Sequence, residues 1–176
     1  MVGIKMDIDA RQFDDIMTKL SLRTKDLKPP LKRSGVWMHR SFAANFREEG
    51  RPRWKSLSWN TITNRKNMSS RPLQDKGLLR QSVMTKTAQG NIYRLRNDSL
   101  TMGSNMSYAG YQQFGTVTHR ILPRAKKVIK FMSGDMKPVF TRRVNHPGIP
   151  ARPFVMFQDE DVKEIEGIFG DYAVKG

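Results

Sequence analysis

Positive charge in this chain is confined to its middle. Residues 49–152 carry twenty Lys/Arg against four Asp/Glu, residues 1–48 carry ten against six, and residues 153–176 carry two against six. The two ends cancel, so the whole formal excess of +16 sits in the central stretch. Cations without a carboxylate partner stay in water, because burying an unpaired charge is costly. Such a concentration favours contact with a polyanion or with an acidic protein surface. Hydrophobic residues make up only 38%, against a usual share of roughly 45–50% in which glycine is also counted. The core is therefore modest, and part of the stability is expected from partners, as in an assembly subunit.

At 176 residues the chain fits one domain, 1–176. Cysteine is absent, which excludes disulfide frameworks, thiolate catalysis and Cys-containing zinc sites. The apolar runs are a few residues long, far short of the roughly 20 that a membrane helix needs. Met1 to Ala10 lacks the apolar stretch of a signal peptide. These features lead to the expectation of a soluble protein made in the cytoplasm, with no membrane partner.

Hydrophobic spacing divides the chain into four parts. Within 1–50, Val2, Ile4, Met6 and Ile8 alternate as in a short strand, Phe13, Ile16, Met17 and Leu20 predict a helix over about 10–25, and Leu31, Gly35, Met38, Phe42 and Phe46 predict a second amphipathic helix to about Glu48. Within 51–115, the polar run from Arg51 to Pro72 reads as an irregular loop anchored by Trp54, Leu57, Trp59, Ile62 and Met68. Leu78 and Leu79 open a segment with little helical period that reads as β-like over Val83–Thr87. Strands follow at Ile92–Leu95 and Leu100–Gly103, and a short helix at Tyr108–Phe114 ends at Gly115. Within 116–146, Arg120–Phe131 and Val139–Val144 flank Ser133-Gly134-Asp135 as a projecting basic hairpin. Within 147–176, a Pro-rich turn leads to a helix over Asp159–Phe169 with Val162, Ile165 and Phe169 on its apolar face. The pattern predicts an α+β fold: an antiparallel sheet flanked by N-terminal helices and a C-terminal helix.

Residues that could carry catalysis do not converge. His39, His119 and His146 fall in a helix, at a strand start and in a Pro-Gly turn, with no second ligand at helical spacing, so no metal site is expected. No serine sits in a Gly-x-Ser-x-Gly elbow, and neither a Walker-type loop nor a dinucleotide fingerprint is present. The acids of the first and last helices read as solvated faces that complement helix dipoles. No cofactor is implied, and an enzyme, whether toxin or hydrolase, would need a convergent nucleophile and base.

The hairpin differs, for Arg120, Arg124, Lys126, Lys127, Lys130, Lys137, Arg142 and Arg143 fall within about two dozen residues and make a stripe that could track phosphates. Only Phe131 and Phe140 lie among these charges, and either could belong to the hairpin's own core, so base stacking is thinly supported. A partner-facing hairpin and sequence-independent nucleic-acid binding both remain open.

Three stretches together resemble the virion morphogenesis, or tail-completion, family of Mu-like and related long-tailed bacteriophages. Gly50, Pro52, Trp54, Leu57, Thr61 and Lys66, continued by Pro72-Leu73, Gly77, Leu79 and Ser82, resemble the family's Gly-x-Pro-x-Trp-x-x-Leu segment and its Gly-x-Leu-x-x-Ser continuation. Gly103-Ser104-Asn105 with Tyr108-Ala109 and then Gln113-Phe114-Gly115 form the second stretch. Ile149-Pro150-Ala151-Arg152-Pro153-Phe154 and the acidic run from Asp159 to Glu166 form the third. Physically, Trp54 and Leu57 suit anchors that pin a polar loop, Gly115 suits a helix end with positive φ, Pro150 and Pro153 suit an extended approach to the last helix, and Phe154 suits a core plug.

The resemblance implies a structural virion protein that acts late in assembly, at the head-proximal end of the tail or at the neck. It would form a homo-oligomeric ring, sixfold if it completes the tail. Its partners would be tail-terminator, tail-tube or head-closure and connector proteins, with DNA possible in the channel. Two different faces of each subunit must then be complementary.

Overall fold

A computed structural model of the chain describes residues 4–9, 26–124, 127–133, 135 and 137–175. The expected helix over about 10–25 lies outside the described residues, as does Lys126.

Three strands form the central antiparallel sheet: β1 (Ile4–Asp9), β2 (Asn91–Leu95) and β3 (Ser99–Ser104), in the order β1-β3-β2. β1 runs against β3 with Ile4 opposite Ser104 and Asp9 opposite Ser99, while β2 pairs the other edge of β3 with Asn91 opposite Ser104. β3 is the buried strand, contributing Leu100 and Met102 to the core.

Helix α1 (Lys28–Arg47) packs on this sheet. Its Pro29 and Pro30 sit in the first turn, where a missing N–H costs nothing. Leu31, Gly35, Met38, Phe42 and Phe46 are all buried, as the spacing predicts. Gly35 is required by close approach, since a Cβ there would lie 2.8 Å from the Leu100 side chain and 3.0 Å from the Tyr93 hydroxyl. On its other side α1 meets the terminal helix, α5 (Asp159–Lys175), which buries Asp161, Ile165, Ile168 and Phe169.

Between α1 and β2 lie two short helices, α2 (Trp59–Thr63) and α3 (Leu78–Met84). α2 interrupts a stretch expected to be irregular, and Ser58 caps it by accepting from the Thr61 N–H. Of the expected anchors only Trp54 is buried; Leu57 and Ile62 are half-buried, and Trp59 and Met68 are exposed. α3 replaces the β-like reading of Val83–Thr87. Leu79 and Val83, one turn apart, enter the core, and the intervening Ser82 hydroxyl donates to the Leu79 carbonyl at 2.7 Å. With its proton so used, Ser82 accepts from Ser104 Oγ at 2.7 Å, fixing α3 to β3.

Helix α4 (Ala109–Phe114) follows β3, and the chain then enters two nested ladders. β4 (His119–Ile121) pairs with β7 (Val144–His146), and β5 (Ile129–Met132) pairs with β6 (Pro138–Thr141). The hairpin is thus present, with its turn closed by Ser133 N–H donating to the Lys137 carbonyl at 2.8 Å. Its distal ladder is tied to the body at Asn64, whose side chain donates to the Met132 carbonyl at 3.1 Å and accepts from the Met132 N–H at 3.3 Å. The whole is α+β, with one buried cluster joining α1, α3, β3, the 154–155 segment and α5. Among the described residues no helix is long and apolar enough to cross a membrane.

Candidate functional site

The family-motif residues separate into a buried clamp and an open cleft. In the clamp, Trp54 stands edge-on to Phe46 with ring centroids 5.8 Å apart, and its Nε1 donates to the Pro153 carbonyl at 2.9 Å. Phe154 is fully buried beside Phe46, as a core plug should be. Gln113 holds the same segment by its side-chain amide, Nε2 donating to the Val155 carbonyl at 2.8 Å and Oε1 accepting from the Phe154 and Val155 N–H groups. A carboxamide is suited to this because it supplies donor and acceptor side by side.

Gly115 ends α4 with φ 75°, and a Cβ on it would sit 2.6 Å from the Ile149 carbonyl oxygen and 2.8 Å from the Ala151 nitrogen. The close approach is what lets Thr116 N–H donate to the Ile149 carbonyl at 2.8 Å. Ala151 is itself exposed, and Pro153 is half-buried.

The cleft lies between the 55–79 stretch and the 146–152 stretch, with a volume of about 1200 Å³. Leu57, Leu79, Tyr108, Ile149 and Pro150 give it apolar walls, and Gly77 forms part of its rim. Burial raises the Tyr108 pKa above its ordinary value. Four cations, Lys55, Arg65, Lys76 and Arg152, face a single carboxylate, Asp75. Arg152 is the most deeply set of them, 5% exposed, with Nε donating to the Lys55 carbonyl at 3.0 Å and Nη2 to the Ser56 carbonyl at 3.3 Å. Burial, and then the nearby Arg65, lower its pKa, which marks a guanidinium with no carboxylate to offset its desolvation. Such a floor attracts carboxylate or phosphate oxygens.

Beside the cleft the surface is apolar. Tyr108, Tyr111 and Phe114 recur every three residues along α4, and Phe114 is 70% exposed, followed by Val117 at 83%. Of the motif aromatics, Phe114 is thus the one that the fold leaves most in water, Tyr108 being 37% exposed.

Beyond it runs the hairpin. Arg120, Arg124, Lys127, Lys130, Lys137, Arg142 and Arg143 are all exposed, and among the described residues none forms an ion pair. Lys130 stands opposite Phe140, its Nζ 5.6 Å from the ring centroid, and Phe140 is exposed rather than core. His119 and His146 stack across the β4–β7 ladder with centroids 5.0 Å apart, while His39 lies against Tyr93 far from both. Among the described residues no group of three or more metal-ligating side chains converges.

Sequence reasoning missed one polar centre. Asp161, expected on a solvated face, is fully buried and accepts from Trp37 Nε1 at 2.8 Å, Ser41 Oγ at 2.7 Å and the Gln158 N–H at 2.9 Å. Arg51 continues the network, donating to Asn45 Oδ1, to both oxygens of Ser41 and to Glu160. These groups fasten α5 to α1 and leave nothing free for chemistry.

A family model described as the phage virion morphogenesis family matches residues 8–173. No curated protein and no solved structure matches the chain.

Proposed function

The chain belongs to the phage virion morphogenesis family, and from that premise we propose that it is the subunit of a tail-completion or head–tail joining ring at the head-proximal end of the tail. Membership makes it a structural bacteriophage protein of the virion; the ring, sixfold where it completes a tail, and its position in the neck are our reading. One observation carries it. The subunit separates its charges: among the described residues the exposed hairpin cations have no ion pair, and α5, although Glu160 pairs with Arg51 and Asp161 is buried, still presents Asp159, Glu164 and Glu166 exposed and without an ion pair. A closed ring uses two different, complementary faces per subunit, and segregated charge supplies them.

In this reading the hairpin cations contact acidic surfaces of adjoining rings or subunits rather than DNA. Every phosphate neutralised in a channel adds favourable counterion release that must be reversed as the genome moves, so a strongly basic lumen would slow ejection. Complementary charge instead steers docking and sets orientation. The exposed, unpaired hairpin also keeps the nucleic-acid reading alive, and one experiment separates the two.

That experiment is charge reversal of Arg120, Lys127, Arg142 and Arg143 to glutamate in assembling phage, scored by electron microscopy. Heads and tails should accumulate unjoined. If the quadruple variant joins them normally but ejects DNA with altered kinetics, the hairpin faces the channel and the assignment fails. Steeply salt-dependent binding of the free chain to duplex DNA would count for the alternative.

A further inference from the structure

Among the described residues the cleft of the family motifs has no occupant, and its shape and charge restrict what could fill it. At about 1200 Å³ it exceeds the roughly 300–1,000 Å³ of small-molecule sites. Part of its lining is apolar, Arg152 is buried within it, Arg65 is half-buried and Lys55 and Lys76 are exposed at it, and among the described residues Asp75 is the one acid that lines it. A matching surface would carry an apolar residue between carboxylates, with one cation placed among them.

The outer face of α5 has that composition. Asp159, Val162 and Glu166 follow one another at helical spacing along the exposed edge of the helix, where Val162 borders the buried Ile165 and Phe169. Val162 is 41% exposed, and among the described residues neither Asp159 nor Glu166 has an ion pair. Lys163 is the cation of the same face. Two glycines, Gly167 and Gly170, interrupt the helix there, and a Cβ on either would meet nothing within 4 Å. An interior helical glycine weakens a helix relative to alanine, and among the described residues no packing contact requires either one. A close-fitting partner would.

We propose that α5 of a second copy of this chain docks in the motif cleft, setting Asp159 and Glu166 against its cations, Lys163 toward Asp75, and Val162 between its apolar walls. The proposal rests on the ring reading and names the contact within the ring. Cleft and helix face are different surfaces of one chain, so the contact is heterologous and repeats from copy to copy until rotation closes it.

The chain has no cysteine, so the contact can be trapped directly. A variant carrying Lys76→Cys and Glu166→Cys, incorporated into particles and oxidised, should give a ladder of linked oligomers on denaturing gels, and each single-cysteine variant should not exceed a dimer. In parallel, Lys55→Glu with Lys76→Glu, and separately Asp159→Lys with Glu166→Lys, should each weaken subunit association by about a hundredfold, because like charges then face each other. All four substitutions together should restore much of it. The isolated cleft variant should melt with the parent, since Lys55 and Lys76 are exposed, and the α5 variant within a few degrees of it, since Asp159 and Glu166 are exposed and only Asp159 complements the helix dipole. Particles that contain a ring of this chain but yield no 76–166 ladder overturn the proposal and leave the ring reading standing. Loss in the cleft variant with no loss in the α5 variant overturns it by showing that another acidic protein fills the cleft. Particles holding one or two copies at an asymmetric position overturn the ring reading itself.

Discussion

Replacing Asp161 with alanine should be among the most damaging single changes on the α1–α5 seam. The carboxylate is fully buried and is the shared acceptor of Trp37 Nε1, Ser41 Oγ and the Gln158 N–H. A buried donor left without an acceptor costs about 1–3 kcal/mol. Three donors are stranded here, but Trp37 is only half-buried and can recover a water, so the expected loss is about 3–5 kcal/mol. For a chain of this size about 1 kcal/mol moves the melting temperature by about 2–4 °C, which places the variant about 6–20 °C below the parent. Asp161→Asn keeps the shape and one acceptor but turns an NH2 toward a donor, and should cost about 1–3 kcal/mol. Guanidinium denaturation followed by tryptophan fluorescence reads all of this. Ser41→Ala adds the decisive control: it should cost measurably in the parent and little in the Asp161→Ala background, where its acceptor is already gone. An Asp161→Ala variant within about 0.5 kcal/mol of the parent, or a Ser41→Ala cost equal in both backgrounds, would refute the network's role.

Two further outcomes follow from local geometry. Gly115→Ala combines a positive φ of 75° with a Cβ 2.6 Å from one backbone atom and 2.8 Å from another, and should cost at least about 2 kcal/mol in a denaturant titration; an unchanged midpoint would show that the 149–151 segment yields freely. His39 is half-buried with Nε2 unpartnered, and burial, then Lys86, lowers its pKa below 6.5. Because the unfolded chain takes up that proton first, stability should hold above about pH 6.5 and fall as pH drops toward the lower folded value. His39→Phe should flatten that fall between about pH 7.5 and about pH 5.5, and identical slopes for parent and variant would exclude His39 as its source.

Periodicity made α1 legible because every position of its stripe is buried in the one core, and the hairpin was legible because strand-like runs flank a Ser-Gly-Asp turn. The same reasoning placed Ile165 and Phe169 in the core, where both are fully buried, but misplaced Val162. Val162 was placed on the buried face by its hydrophobicity, but Trp37 and Ser41 present hydrogen-bond donors where the helix lands, so Asp161 takes the inner position and Val162 stays 41% exposed. α3 was obscured by the β-branched run around Val83. What makes it helical is tertiary: Leu79 and Val83 enter the core one turn apart, while Ser82 bonds to β3. Motif spacing marked Trp54, Gln113, Arg152 and Phe154 without revealing their division into clamp and cleft. That division depends on hydrogen bonds between residues 41 to 99 positions apart, a separation no local pattern encodes.

If the subunit closes into the proposed ring, its segregated charges would let it be stored as a free chain and still assemble on a template. An exposed ion pair contributes only about 0–1 kcal/mol and is screened by salt, so one α5 in one cleft is a weak bond between two free copies. A ring changes the arithmetic. Once several subunits are held on a common template, each further contact forms at high effective concentration, and closure adds a bond without another loss of translational freedom. On that proposal the hairpin would reach the template, since its described cations lie outside the cleft and would remain available after copies engage one another through α5. Weak lateral contacts combined with a separate basic surface toward adjoining rings would then make assembly conditional on the template.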